Sequence, residues 1–228
     1  MQTPAPLDTL RQQVARIAGF TRPAEAKPLV FGIPEVDQVT PWGGLARGGI
    51  HELIGDQAAV TGLLAALLGR QKTLDHVLWV TPAANLFAPG LAQLGLDHHK
   101  LTIAWARRTD DRLWTAEEAL KDLPRGAVVA EVESPGLTET RRLQLAAEAS
   151  GSIGFLVRRD RQPSAALTRW LVEPARSRQC NPAWKLTLER CRGAETAGTS
   201  WHLEFEYAAL SLSLAAEMAN RPAEAQAA

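Results

Sequence analysis

A chain of 228 residues, 46% hydrophobic and 22% charged, carries enough apolar side chain for one substantial core with appendages, which sets aside the disordered and fibrous classes. Lys+Arg and Asp+Glu each number 25, so the chain is formally neutral and disfavours strong, autonomous nucleic-acid binding, which draws on an excess of basic side chains. Cys180 and Cys191 have no metal-like spacing, the start "MQTPAPLDTL" lacks a basic patch before an apolar stretch, and "LLAALL" is too short to span a bilayer; a soluble, cytoplasmic protein with reduced thiols is expected.

Residues 7–19 place Leu7, Leu10, Val14, Ile17 and Ala18 at helical spacing, and "TRPAEAKP" follows as a linker, so residues 1–28 are expected to form a helical arm and linker. From residue 29 short apolar runs alternate with helical stretches. "GIHELIG" reads as a strand, "AAVTGLLAALLGR" as a helix, and "HVLWVTP" and "KLTIAWAR" as buried strands. Residues 113–123 form an amphipathic helix, "GAVVAEV" a fourth strand, 139–150 a helix, and "SIGFLVRR" a fifth strand. Such alternation implies an α/β fold with a mostly parallel sheet flanked by helices. After residue 165 the grammar changes: "TRWLVEP", "AWKLTLERC", "WHLEFEY" and "LSLSLAA" alternate with period two, as antiparallel strands do. The core domain is expected over 29–216 and a disordered tail over 217–228.

The stretch "GGIHELIGDQAAVTG" has the outline of a phosphate-binding loop, which reads G-x-x-x-x-G-K-[ST] between a strand and a helix. Backbone N–H groups there cradle the phosphates, the lysine reaches the β and γ groups, and the hydroxyl ligates Mg²⁺. Counting from Gly55, the second glycine slot holds Val60, the lysine slot Thr61 and the hydroxyl slot Gly62. No Lys or Arg occurs between Gly55 and Arg70, and Arg47 precedes the strand, roughly 15–20 Å away at about 3.3 Å per strand residue. The strand–loop–helix outline is expected to persist without cofactor chemistry.

The lead "FGIPEVDQVTPWGGLARGGIHELIG" resembles the approach to the phosphate loop of the recombinase RecA. The stretches "HVLWVTPAANLFAPGLAQLGLDHHKL", "ARRTDDRLWTAEEAL", "TETRRLQLAAEASGSIGFLVR" and "WKLTLERCRG" resemble, more narrowly, the ImuA family, over about residues 29–216. That resemblance implies a RecA-like core and a non-catalytic accessory role in SOS-induced translesion mutagenesis. It also implies association with the polymerase-like protein ImuB, with RecA and with an error-prone replicative-type polymerase. The division inhibitor SulA shares this ancestry and is the nearest different function; a divergent ATPase is a further alternative that the missing lysine opposes.

Other residues invite chemistry. Glu131 and Glu133 follow the run "AVVA" near where a Mg²⁺-binding aspartate would sit, and solvated carboxylates at a strand end are expected instead. His98 and His99 are adjacent and are expected to diverge, giving no metal site. His51 is expected to be a hydrogen-bonded core or edge residue, and Thr61 has nothing to activate it as a nucleophile. Most of the seven tryptophans fall on apolar faces and are expected in the core; Trp42, in the turn "TPWGG", is either packed or a partner contact. The cluster "RRDRQ" offers Arg158, Arg159 and Arg161 either to solvent or to a weak DNA or partner contact.

Overall fold

The computed structural model describes residues 27–177, 180–194 and 198–215. The helix expected at 7–19 and the tail at 217–228 lie outside these residues.

Among the described residues nine strands form one sheet. β1 (Gly49–Gly55) is flanked by β5 (Ile153–Val157) and β6 (Thr168–Pro174), and β4 (Ala127–Glu131), β2 (Val77–Thr81) and β3 (Leu101–Trp105) follow beyond β5. These six strands are mutually parallel. β7 (Ala183–Cys191), β8 (Thr199–Glu206) and β9 (Ser211–Leu214) then extend the sheet antiparallel beyond β6. The order β3-β2-β4-β5-β1-β6-β7-β8-β9 joins the two grammars read in the sequence at β6.

Two helical layers cover the parallel half. On one face lies α2 (Gln57–Gly69), whose Val60, Leu63, Leu64, Leu67 and Leu68 meet Leu53, Trp79, Phe155, Trp170 and Leu186 in the larger core cluster. α2 is apolar nearly all round, as a buried helix requires. Buried residues of the segment from Leu29 to Ala46 join the same cluster, with Gln71 just past the helix donating to the Val30 carbonyl at 2.9 Å. That segment contains the short α1 (Pro34–Asp37), and α3 (Ala88–Gln93) lies farther along the chain. The Asp37 carboxylate accepts from the N–H groups of Phe31 (2.7 Å), Gly32 (2.9 Å) and Ile33 (3.1 Å) and so fixes the lead into the core.

On the opposite face, α4 (Thr109–Asp122) and α5 (Leu137–Ser150) pack Ala116, Leu120, Leu143, Ala146 and Ala147 onto Ile50, Val80, Val128, Ala130 and Leu156. α4 starts four residues before the expected position, since Asp110 and Asp111 in its first turn complement the helix dipole. α5 stops at Gly151, whose φ of 77° is the left-handed conformation that closes a helix end. On this second face the antiparallel extension is polar: Lys185, Thr187, Ser200, His202 and Glu204 alternate with the buried Trp184, Leu186, Leu203 and Phe205 of the other face.

The connection from β5 to β6, residues 158–167, contains no helix and must pass β1 on its way. Beneath it, Glu52 of β1 is fully buried. The carboxylate pairs with Arg158, with Arg169 Nε at 2.8 Å and with Arg190 at 3.7 Å. The same guanidiniums bind the crossover: Arg169 donates to the carbonyls of Arg161 (2.9 Å) and Gln162 (2.6 Å), and Arg190 to Ser164 Oγ and Ala166 O, both at 2.9 Å. The buried ions do the work that an apolar crossover helix would do elsewhere.

His51, one residue earlier, is buried on the other face. Trp170 Nε1–H donates to Thr168 Oγ1 at 2.7 Å, and the Thr168 hydroxyl in turn serves His51 Nδ1 at 2.8 Å. The other ring nitrogen donates to the Ala46 carbonyl at 3.0 Å, which requires a proton on Nε2. Burial pushes the imidazole down to about 4. The expected core role for His51 is the one it has.

Candidate functional site: the β1–α2 junction

In open parallel sheets ligands bind outside the carboxyl ends of the strands, here the ends of β1, β5 and β6. A depression of about 380 Å³ lies there, lined by Gly55, Asp56, Gln57, Arg159, Arg161 and Leu171 among others. Its floor is the junction between β1 and α2.

One residue forms that junction. β1 ends at Gly55 and α2 begins at Gln57, with Asp56 as N-cap. Gly55 has φ of 126°, and a Cβ there would stand 2.1 Å from the Val172 carbonyl oxygen, so only glycine fits. The next N–H, of Asp56, bonds that same oxygen at 3.2 Å. The Asp56 carboxylate then accepts from Ala59 N–H at 2.9 Å. It therefore places an anionic oxygen of the chain itself at the helix N-terminus, where a bound phosphate would otherwise sit.

The sequence expectation needs correction at this point. Strand and helix remain, but no loop lies between them. The slots counted from Gly55 fall inside α2: Val60 is buried in the core, Thr61 Oγ1 donates to the Gln57 carbonyl at 2.8 Å, and Gly62 faces Trp184, whose ring would lie 3.3 Å from an added Cβ. Val60, Thr61 and Gly62 are helix residues, because Asp56 followed by Gln57-Ala58-Ala59-Val60 caps and starts a helix at once. The Asp at the cap was the signal available in the sequence.

The arginines of "RRDRQ" separate. Arg158 is not available to DNA or a partner: its guanidinium is buried between Glu52 and Asp160, with Nε 2.6 Å from Asp160 Oδ1. It is the first residue past β5 and points beneath the crossover. Arg161 is exposed and holds Glu189 through Nε at 3.1 Å and Nη2 at 2.9 Å. Arg159 is exposed at the rim of the depression.

Other expectations are corrected as well. Glu131 is buried rather than solvated, accepting from Trp79 Nε1 at 2.9 Å with Thr81 Oγ1 3.2 Å from its second oxygen; Glu133 is exposed. β5 separates β4 from β1, so Glu131 is not on the strand beside the junction. Trp42 is buried in the larger core cluster and is no exposed anchor, because the segment around it contributes Val36, Leu45 and Ala46 to the same core. Trp105 and Trp114, 68% and 63% exposed, are the tryptophans that face solvent. The rings of His98 and His99 do not diverge: a 3-10 turn over His98–Lys100 brings their centroids to 4.0 Å, and with Asp97 their ligand atoms lie within 4.8 Å of one another. All three are exposed, and Asp97 Oδ1 already caps the turn by accepting from His99 N–H at 2.9 Å. Cys180 and Cys191 are both free, and burial pushes the Cys191 thiol up to about 12, which makes it inert. Among the described residues no helix is long and apolar enough to cross a membrane.

Comparison with known proteins adds to this geometry. No protein-family model matches the chain. Protein ImuA of Caulobacter vibrioides, in strains NA1000 / CB15N and ATCC 19089 / CIP 103742 / CB 15, is 37% identical over 209 residues, spanning 79% of this chain and 84% of that protein. Among solved structures, the RadB recombinase superposes with a TM-score of 0.60 at 15% identity, over 81% of this chain and 98% of that one. A KaiC-like protein from Pyrococcus horikoshii OT3 superposes with a TM-score of 0.54 at 14% identity, over 83% and 99%. The two structural likenesses establish the RecA-like fold.

Proposed function

The chain belongs to the ImuA family, and from that premise we propose that it acts in the ImuA–ImuB mutagenesis cassette as a non-catalytic adaptor, binding ImuB, RecA or both. An error-prone replicative-type polymerase is a further partner on this reading. The observation that carries the non-catalytic part is the one-residue β1–α2 junction. A phosphate loop works by wrapping backbone N–H groups around the β-phosphate with a lysine beside them. Here Asp56 supplies the helix with its own anion, and the residue that follows already belongs to α2. A triphosphate approaching the depression would meet that carboxylate, and Arg161, one of the two guanidiniums there, is engaged with Glu189.

Two measurements test the proposal. Calorimetry with ATP and Mg²⁺ is expected to give no saturable heat up to millimolar nucleotide; micromolar binding overturns the non-catalytic reading. Affinity capture after DNA damage is expected to recover ImuB or RecA. Recovery of division proteins alone would point to a SulA-like role instead.

A further inference from the structure

We propose that the groove beside α5, on the flank away from α4, is a docking site for an acidic amphipathic helix of a protein partner. The inference rests on the adaptor reading and deepens it by naming a surface and the chemistry it takes. On this face α4 and α5 form a layer over β4, β5 and β1, and among the described residues no helix occupies the next lateral position, over β6 and β7. A groove of about 260 Å³ runs along that position, with α5 as one wall and Ser164 and Arg192 on the other.

The α5 wall exposes apolar surface that its own fold does not cover. Leu137 and Leu145 both line the groove and are 56% and 55% exposed, whereas Leu143 of the same helix is buried. Eight residues apart, the two leucines stand roughly 12 Å apart along the axis, at about 1.5 Å per residue. A facing helix of three or more turns, with apolar residues at i, i+4 and i+8, spans both. Between them on the same wall lies Arg141, and across the groove lies Arg192; neither makes an ion pair among the described residues.

The charge favours an acidic occupant. Glu148, the one carboxylate in the groove, accepts from Gln144 Nε2 at 2.8 Å and offsets only one of the two arginine charges, so the lining stays net positive. Arg190, behind Ser164, is already paired with Glu52 and adds no free charge to the groove. The two exposed leucines separate a protein helix from nucleic acid as the occupant, since phosphate contacts gain nothing from aliphatic surface.

The test uses the full chain and a fluorescein-labelled 16-residue peptide carrying leucines at i, i+4 and i+8 flanked by glutamates, read by anisotropy. A second peptide has lysine in place of every glutamate. Saturable binding of the acidic peptide is expected, weakened at least tenfold by Arg141→Glu with Arg192→Glu, and likewise by Leu145→Glu. Trp114→Ala, on the α4 side, is expected to leave it unchanged. Arg141, Leu145 and Trp114 are exposed and Arg192 is half-buried, and matching circular-dichroism melts establish that the variants fold. Equal binding of the two peptides, variants that bind like the wild type, or displacement by a single-stranded oligonucleotide overturns the groove. Partner capture separates the two claims. If the wild type and the Arg141→Glu, Arg192→Glu variant recover ImuB or RecA equally, the groove falls and the adaptor reading stands. If the wild type recovers neither yet binds the acidic peptide, the groove stands and the proposed partners fall.

Discussion

At the scale of single residues, two buried ionisable groups on neighbouring positions of β1 give opposite lessons. His51 favours the neutral form in the fold, because full burial between Thr168 and the Ala46 carbonyl penalises the charged ring. Its folded value of about 4 lies below the ordinary 6.5 of the unfolded chain, so the unfolded chain takes up the proton first as pH falls. The stabilisation is complete above 6.5 and is lost as pH falls toward 4, at up to about 1.4 kcal/mol per pH unit. Urea unfolding at pH 7.5, 5.5 and 4.5 should show this loss, and His51→Gln should flatten it; an unchanged slope in the variant would assign the acid sensitivity to other groups. Glu52, by contrast, is held by ion pairs with two buried arginines. Glu52→Gln leaves Arg158 and Arg169 without their shared carboxylate, and breaking a buried pair in this way costs about 3–5 kcal/mol. The urea midpoint reads that loss. A shift under about 1 kcal/mol would mean that Asp160 and the crossover carbonyls suffice to hold the arginines.

At the scale of elements, the junction of β1 and α2 makes the sharpest prediction. Thr61→Lys, which restores the lysine at its counted position, should create no ATP binding, because that position lies on the second turn of a helix and not on a loop. Calorimetry with ATP and Mg²⁺ decides it. Gly55→Ala should destabilise by about 2 kcal/mol or more, since it combines a positive φ with a clash against Val172 O. Asp56→Ala should lose about 1 kcal/mol of capping. Both are read from chemical denaturation, and a neutral Gly55→Ala would show that the close approach to β6 is relaxed. The elements themselves were mostly legible. β1, β6 and β7 have the bounds that apolar patterning suggested, because a strand buried on both faces and one buried on a single face leave different periods. The missing loop was not legible: counting slots from Gly55 assumes that the spacer exists, and the cap at Asp56 is one polar residue among many. α1, α3 and the turn at His98 were too short to leave a period.

At the scale of the whole molecule, the fold class could be read from the succession of elements, but the order of strands could not. Nothing local says that β1 lies between β5 and β6, because that depends on pairings over a hundred residues apart. The same blindness misplaced Arg158, which sits in a basic run yet pairs with a carboxylate 106 positions earlier. Its removal from the surface lowers the attraction to nucleic acid. Arg159 and Arg161 remain, and two phosphate contacts correspond to a salt slope of roughly −1.4 on single strands, at about −0.7 each. Anisotropy with a labelled oligonucleotide across a salt series should find binding no stronger than this, fading near physiological salt. Arg159→Ala with Arg161→Ala should abolish it. A steeper slope would mean that DNA meets another face of the protein.

The crossover from β5 to β6 also bears on the order in which the chain assembles. Glu52 leaves the ribosome long before Arg158 and Arg169, which follow it by 106 and 117 residues. Until they arrive, an ionised carboxylate sits on what must become the central strand, and desolvating it alone costs several kcal/mol. β1 therefore cannot be sealed on that face by the first half of the chain, however well α2 packs on the other. Its closure waits for β6, so the two halves of the sheet are expected to complete in one late, cooperative step. Pulse-labelled hydrogen exchange during refolding should find β1 and β6 gaining protection together, after β2 and β4. Early protection of β1 alone would show that the strand closes before its arginine partners arrive and would overturn this order.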